Sequence, residues 1–289
     1  MINRLCVVGV GLIGGSFALG LKEAGLVKRV VGVDRDAANL DLALFAGLID
    51  EAAASLEEGV RGVDCVFIAV PVGVMPDIFR QLSPLWQNGV LYTDAGSTKS
   101  DVIKALANAH GFVPSNFVAG HPIAGAETSG ASAARSGLFQ GRRVILTPLA
   151  DTAADALALA KSLWEAVGAR VSEMAPVHHD EILAATSHLP HVLSFALTAM
   201  LGRHDEQQDI FAYAAGGLRD FTRIAGSDPA MWRDICLANR DQLLPLVEEY
   251  RLALGMVSKM IKDGDSDQLI QLFADARMAR QRFIDQLDK

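Results

Sequence analysis

Ser97 and His121 are the residues of this chain best set for proton chemistry. Ser97 lies in Asp94-Ala95-Gly96-Ser97-Thr98-Lys99, and His121 in Gly120-His121-Pro122-Ile123-Ala124-Gly125-Ala126-Glu127. Each cluster sits at the end of a short apolar run that reads as a strand. A polar side chain at the carboxyl end of a parallel strand faces the crevice where ligands bind. A hydroxyl and an imidazole there suit nucleophilic catalysis, or proton transfer beside a hydride acceptor. Taken alone, His121 reads equally well as a structural histidine. A third polar group comprises Ser187-His188-Leu189-Pro190-His191 and Asp220 to Pro229, the latter containing Arg223. Pro190 lacks a backbone N–H, so a kink is expected there, one that turns His188 and His191 toward a cleft. Arg223 has the apolar neighbours Phe221 and Ile224. It is expected to be partly buried and to need an anion, either Asp220 or the carboxylate of a substrate.

The histidines His178, His179, His188 and His191 fall within fourteen residues. They show no HExxH pattern and no nearby cysteine, so no metal is expected. His178 and His179 read as helix-entry residues after Pro176.

The elements that must position these groups start with Gly9-Val10-Gly11-Leu12-Ile13-Gly14. The G-x-G-x-x-G spacing follows a strand pattern and opens a helical one, the setting of a dinucleotide turn. Gly9 permits the tight turn, Gly11 a close approach of the pyrophosphate, and Gly14 close helix–strand packing. The helix N-terminus, at Leu12 and Ile13, offers free N–H groups to phosphate. Asp34, twenty residues past Gly14, can bind both ribose hydroxyls and repel a 2′-phosphate. NAD is therefore expected in preference to NADP, although Arg35 could pair with a 2′-phosphate. Val70-Pro71 ends a later strand at the same edge and is expected either to pack on the cofactor or simply to close the strand. With a dinucleotide at this edge, proton handling becomes the expected work of His121: an alcohol losing hydride needs a base for its hydroxyl proton, and a neutral imidazole suits that near pH 7.

Short apolar runs at Leu5–Gly9, Arg29–Asp34, Cys65–Ala69, Leu91–Thr93, Phe117–Gly120, Arg143–Thr147 and Arg170–Ser172 alternate with helical patterns such as Gly15–Ala24 and Asp155–Val167. Alternation of this kind predicts an α/β class with a Rossmann-type doubly wound parallel sheet. After Pro176 only helical spacing remains, over Asp180–Leu201, Met231–Lys262 and Ser266–Leu287. The expected domains are 1–174, binding NAD, and 175–289, all-helical. The last helices carry enough Leu, Met and Phe to suit a homodimer interface.

Composition bounds the rest. The chain has 289 residues, 51% hydrophobic and 21% charged, with net charge −8. That excludes the basic footprint of a nucleic-acid binder. No run of about 18 apolar residues predicts a membrane span, and no secretory pattern precedes Leu5. Cys6, Cys65 and Cys236 read as buried thiols in a reducing compartment, so a cytoplasmic protein is expected.

Gly9–Gly14, Asp94–Ser97, His121-Pro122-Ile123-Ala124-Gly125, His188-Leu189-Pro190-His191, Asp220–Ala225 and Asp228-Pro229-Ala230-Met231-Trp232-Arg233-Asp234 occur together and in order. In these residues the chain resembles the prephenate/arogenate (cyclohexadienyl) dehydrogenases over nearly its whole length. The resemblance implies a Rossmann domain followed by a helical dimerisation domain, with NAD as cofactor and a small anionic substrate. It implies that His121 accepts the hydrogen bond of the ring hydroxyl and that Ser97 orients both. His191, Arg223 and His188 would then bind substrate, with Glu127 near the cleft mouth. The reaction implied is oxidative decarboxylation of prephenate or arogenate. No mutase segment precedes Leu5 and no regulatory module follows Leu287, so a monofunctional enzyme is expected, in which tyrosine inhibits, if at all, by competing with substrate. Two rivals remain. A β-hydroxyacid dehydrogenase would need a lysine early in its helical domain, and residues 162–258 contain none. A non-catalytic NAD-binding regulatory protein would not need Ser97, His121, His191 and Arg223 together.

Overall fold

The β-branched runs become strands because their side chains pack well on a sheet covered on both faces. The computed structural model describes residues 1–125, 128–205 and 209–287. It divides into two compact units, Met1–Arg240 and Asp241–Lys289.

The first unit contains a six-stranded sheet of β1 (Ile2–Val8), β2 (Val27–Val33), β3 (Glu51–Ala52), β4 (Cys65–Ile68), β5 (Leu91–Asp94) and β6 (Phe117–Val118). The spatial order is β3-β2-β1-β4-β5-β6, and every pairing is parallel. Helices α1 (Leu12–Glu23), α2 (Ala37–Phe45), α3 (Leu56–Gly59), α4 (Met75–Leu82) and α5 (Ser100–His110) lie between the strands in sequence. Strand order reverses at β1/β4, the switch point at which such sheets bind dinucleotides. Successive residues of a strand point to opposite faces. Leu5, Val7, Cys65 and Phe67 thus join Phe17 and Trp164 on one side, while Cys6, Val8, Val66 and Ile68 join Phe79 and Trp232 on the other. Burial pushes the Cys6 thiol up to about 12, and the Cys65 thiol upward too. Cys236 is only half-buried.

The run Phe117–Gly120 splits. Its first half stays in the large sheet, whereas Gly120–Pro122 forms β7, antiparallel to β8 (Arg143–Leu146), which pairs in parallel with β9 (Arg170–Glu173). The cause is a side chain from the neighbouring strand: the Gly120 N–H donates to Asp94 Oδ1 at 3.0 Å, so it is lost to the β5–β6 ladder. Helix α6 (Ala154–Ala166) lies between β8 and β9 in sequence.

The helical part opens with α7 (Pro176–Leu183), a π-helical turn Ala184–His188, and α8 (Leu189–His204). The π turn ends at His188, two residues before Pro190, the site of the expected kink. Inserting an extra residue accommodates a proline that can neither donate to, nor fit against, the preceding turn. Of the described residues, Pro176–His204 is the one helical run long and apolar enough to cross a bilayer. It nonetheless carries His179, Asp180 and His188 buried within the protein. There follow α9 (Asp209–Ala212), α10 (Gly216–Thr222), a 3₁₀ turn Arg223–Gly226, α11 (Pro229–Ala238), α12 (Arg240–Asp263) and α13 (Ser266–Leu287). The expected single helix Met231–Lys262 is therefore cut at Asn239. In the second unit, made of nearly all of α12 and of α13, Met256, Ile261, Ile270, Phe273 and Phe283 are exposed.

Candidate active site

Asp94, the last residue of β5, organises the turn that follows. Its Oδ2 accepts the Gly96 N–H at 2.7 Å and the Lys99 ammonium at 2.5 Å, while its Oδ1 takes the Gly120 N–H. Lys99 Nζ also donates to the Gly120 carbonyl at 2.6 Å. Both side chains of the pair are fully buried, and burial lowers the Lys99 amine from its ordinary range. One ion pair thereby fixes the backbone before and after the β5 edge, and with it the strand that carries His121.

His121 Nδ1 lies 2.8 Å from His179 Nε2, and His179 Nδ1 lies 2.8 Å from Asp180 Oδ1. The Asp180 oxygens accept the backbone N–H groups of Lys99 and Ser100, each at 2.8 Å, and so cap the start of α5. Burial holds the His121 imidazole well below its ordinary value; the neighbouring His179, Lys99 and His188 lower it further. Burial also lowers His179, against the opposing effect of Asp180. Burial alone would raise the Asp180 carboxyl, but its bonds to His179, Ser100 and Lys99 outweigh that and hold it below the usual carboxylate range. Near pH 7 the line is therefore imidazole, imidazole, carboxylate. An imidazole that is neutral and held through Nδ1 is equipped to accept a proton at Nε2.

A second cluster adjoins it. The Asn239 amide donates to the Asp180 carbonyl at 2.8 Å and lies 3.0 Å from His188 Nδ1. Burial brings His188 down to about 4. His191 stacks on Trp232 with ring centroids 3.6 Å apart, and its Nδ1 lies 2.9 Å from the Ser187 carbonyl. Burial lowers the His191 imidazole, and the nearby Arg223 charge lowers it further. Helix α11 brings Trp232 here: Asp228 caps it through the Met231 N–H at 2.7 Å, and Trp232 and Ile235 enter the core beside α4 and α5.

The glycine turn is shaped for a phosphate group. Gly9 has φ +92°, and a Cβ there would lie 2.6 Å from the Ala69 carbonyl oxygen and 2.9 Å from Val70 Cγ1. At Gly14 a Cβ would collide with the Gly9 carbonyl and come within 2.9 Å of Val7 Cγ1. Gly11 instead faces open space at the start of α1, where no side chain caps the helix. The turn thus offers uncapped N–H groups and room in front of them. Asp34 Oδ2 accepts the Val10 N–H at 3.0 Å and the Asn39 amide at 3.2 Å, and its Oδ1 accepts the Asp36 N–H at 3.1 Å.

Comparison with known proteins decides the family. Residues 17–173 match the model for the prephenate dehydrogenase nucleotide-binding domain, and residues 175–275 match that for the prephenate dehydrogenase dimerization domain. The chain belongs to the prephenate dehydrogenase family. It is 36% identical to a cyclohexadienyl dehydrogenase of Zymomonas mobilis over 97% of this chain and 96% of that one. Among solved structures it resembles the prephenate dehydrogenase of A. aeolicus, crystallised with hydroxyphenyl propionate and NAD+, with TM-score 0.89 and 35% identity over 98% and 99% of the two chains. It also resembles a Synechocystis arogenate dehydrogenase, with TM-score 0.79 and 27% identity over 97% and 99%.

Against this prephenate dehydrogenase family frame, the residues singled out from sequence divide. Gly9, Gly11, Gly14, Asp34 and Val70 gather at the switch point; Leu12 and Ile13 begin α1; Arg35 and Pro71 are exposed beside them. Ser97 is half-buried at the β5 edge, and its hydroxyl has no hydrogen-bond partner among the described residues. His121 Nδ1 is held by His179 rather than by Ser97. Arg223, expected to be partly buried, is exposed in the protomer, and its neighbour Phe221 is itself about half exposed. Glu127 lies outside the described residues. His179 is not a mere helix-entry residue; it is fully buried in the His121 line. Sequence reading missed it together with Asp180, Asn239 and Trp232.

Proposed function

We infer that the chain catalyses NAD-dependent oxidative decarboxylation of prephenate, arogenate or both, giving 4-hydroxyphenylpyruvate or tyrosine. The observation that carries this is a buried, neutral His121 on β7, which begins where the chain leaves the parallel sheet whose glycine turn suits a dinucleotide. Gly9, Gly11, Gly14 and Asp34 would hold NAD, with Leu12, Ile13, Val70 and Pro71 around it, and the bound nicotinamide supplies the hydride acceptor. His121 Nε2 takes the proton of the ring hydroxyl. The Ser97 hydroxyl orients that group. Arg223, His191 and His188 are assigned to binding the substrate carboxylate. Loss of carbon dioxide makes the ring aromatic, so positioning, one base and anion recognition suffice. Turnover of prephenate and of arogenate with NAD, followed as NADH absorbance, tests this. Rates above background with one or both are expected, and their kcat/KM ratio gives the preferred substrate. No turnover with either would favour a non-catalytic NAD-binding role.

Residues 1–174 would form the dinucleotide domain and 175–289 the substrate and dimerisation domain. The exposed Met256, Ile261, Ile270, Phe273 and Phe283 support a homodimer through the helical part. Tyrosine shares the ring and carboxylate of the product, so as an inhibitor it would compete with substrate. Unpaired thiols support a cytoplasmic setting. Cofactor choice is assigned to Asp34, which the Val10 and Asn39 donors aim into the turn. Asp34→Ser, with Arg35 left in place, should shift the NADP/NAD ratio of kcat/KM upward by about tenfold or more, the scale of one lost interaction of about 1.4 kcal/mol. An unchanged ratio would show that Asp34 does not discriminate.

A further inference from the structure

We propose that His179 is the proton store of this active site: as His121 Nε2 receives the ring-hydroxyl proton, His121 Nδ1 passes its own proton to His179 Nε2, and Asp180 holds the imidazolium that results. This deepens the dehydrogenase reading above and rests on it.

The tautomers follow from groups that cannot reverse their roles. Backbone amides only donate. The N–H groups of Lys99 and Ser100 therefore require both Asp180 oxygens to accept, each at 2.8 Å. They also begin an eleven-residue helix, whose end favours a negative charge. An ionised carboxylate only accepts, so His179 Nδ1, 2.8 Å from Asp180 Oδ1, carries a proton. A neutral His179 then presents a bare Nε2, and His121 Nδ1 at 2.8 Å must donate to it. That leaves the lone pair of His121 on Nε2, as a base requires. The backbone of α5 thus dictates, two imidazoles away, which nitrogen of His121 reacts.

The charges around each ring decide where a positive charge settles. His121 faces the Lys99 ammonium, which opposes a cation on it, and the buried His188, which is neutral near pH 7. His179 faces the Asp180 and Asp94 carboxylates as well as Lys99. Proton transfer between two imidazoles joins groups of equal intrinsic basicity, unlike transfer from imidazole to carboxylate. The protons balance: the hydroxyl O–H and His121 Nδ1–H bonds break, while N–H bonds form at His121 Nε2 and His179 Nε2. His179 is fully buried. Its proton returns through His121 once product has left, and the Nε2 proton of His121 passes to water.

His179→Gln is the informative variant, since a side-chain amide oxygen can accept from His121 Nδ1 but cannot take its proton. With KM and thermal midpoint near wild type, kcat should fall on the order of 10²-fold, the lower range for a lost acid–base group. The acid limb of kcat should move to lower pH, because in wild type the first proton goes to the pair through His179 and locks His121 in the wrong tautomer. A folded variant with kcat within about threefold of wild type and an unmoved limb would overturn the proposal. Should His179→Gln not fold, ¹⁵N histidine spectra of the wild-type holoenzyme decide. Expected are a His179 protonated at Nδ1 near pH 7 and protonation of His179 before His121 on acidification; the opposite tautomer or order overturns it. Wild-type protein inert toward both ring substrates would instead defeat the dehydrogenase reading, and the spectra would still report on the store.

Discussion

His121→Asn should lower kcat by about 10²–10⁴-fold, the range for a lost general base, with little change in KM. The bond from His121 Nε2 to the ring hydroxyl strengthens only as the proton departs, so its loss falls on the transition state. The wild-type pH profile gives the second signature. The base works only when neutral, so kcat falls as acidity protonates it. Burial lowers both His121 and His179, so the limb of this pair should lie below the ordinary histidine range and vanish in the variant. Arg223→Ala provides the contrast. A substrate carboxylate is charged before and during reaction, so its partner acts in binding and KM should rise. Arg223 is exposed in the protomer, so about tenfold in KM is expected, rather than the several kcal/mol of a buried pair. An acid limb that persists in His121→Asn, or two variants that change KM alone, would remove His121 from the role of base.

The glycine turn was legible because its causes are local. Gly11 answers to open space and Gly14 to the Gly9 carbonyl within one strand–turn–helix, and the Gly9 spacing marks the turn even though the atoms that crowd it belong to Ala69 and Val70 after β4. His121 was legible as a polar residue after an apolar run, although it stands within β7, antiparallel to β8, and not at the end of a parallel strand. His179 was hidden by its neighbour: two histidines follow Pro176, one 60% exposed and paired with Glu181, the other fully buried. The signal lay in helical spacing. His179 and Asp180 share a face with Leu183 and Ala184, both in the core, and a polar pair on a core face needs partners. The break at Asn239 had no Gly or Pro to announce it, since its amide turns inward to reach Asp180 and His188. The split between Val118 and Gly120 depends on an Asp94 carboxylate twenty-six residues earlier. Local patterns thus reveal elements and single residues, whereas hydrogen-bonded lines that cross elements stay out of view.

The largest loss of stability is expected from Lys99→Met. Its ammonium is fully buried, with Asp94 Oδ2 at 2.5 Å and the Gly120 carbonyl at 2.6 Å as partners. A thioether fills much of the same space but leaves the buried Asp94 carboxylate without its counter-charge. Breaking one side of such a pair costs about 3–5 kcal/mol. Urea unfolding should show that loss as a lower midpoint with an unchanged slope. Replacing both partners, as Asp94→Asn with Lys99→Met, removes the stranded charge, so the double variant should be more stable than Lys99→Met alone. That ordering separates an electrostatic penalty from simple loss of packing, which would accumulate. The same ammonium opposes a positive charge on His121, so the acid limb of kcat in any folded Lys99→Met protein should move to higher pH. A loss below about 1 kcal/mol, the scale of a solvated surface pair, would show that Lys99 and Asp94 are not sealed from water. The β5 edge would then owe its shape to the glycines Gly96 and Gly120 rather than to the ion pair between them.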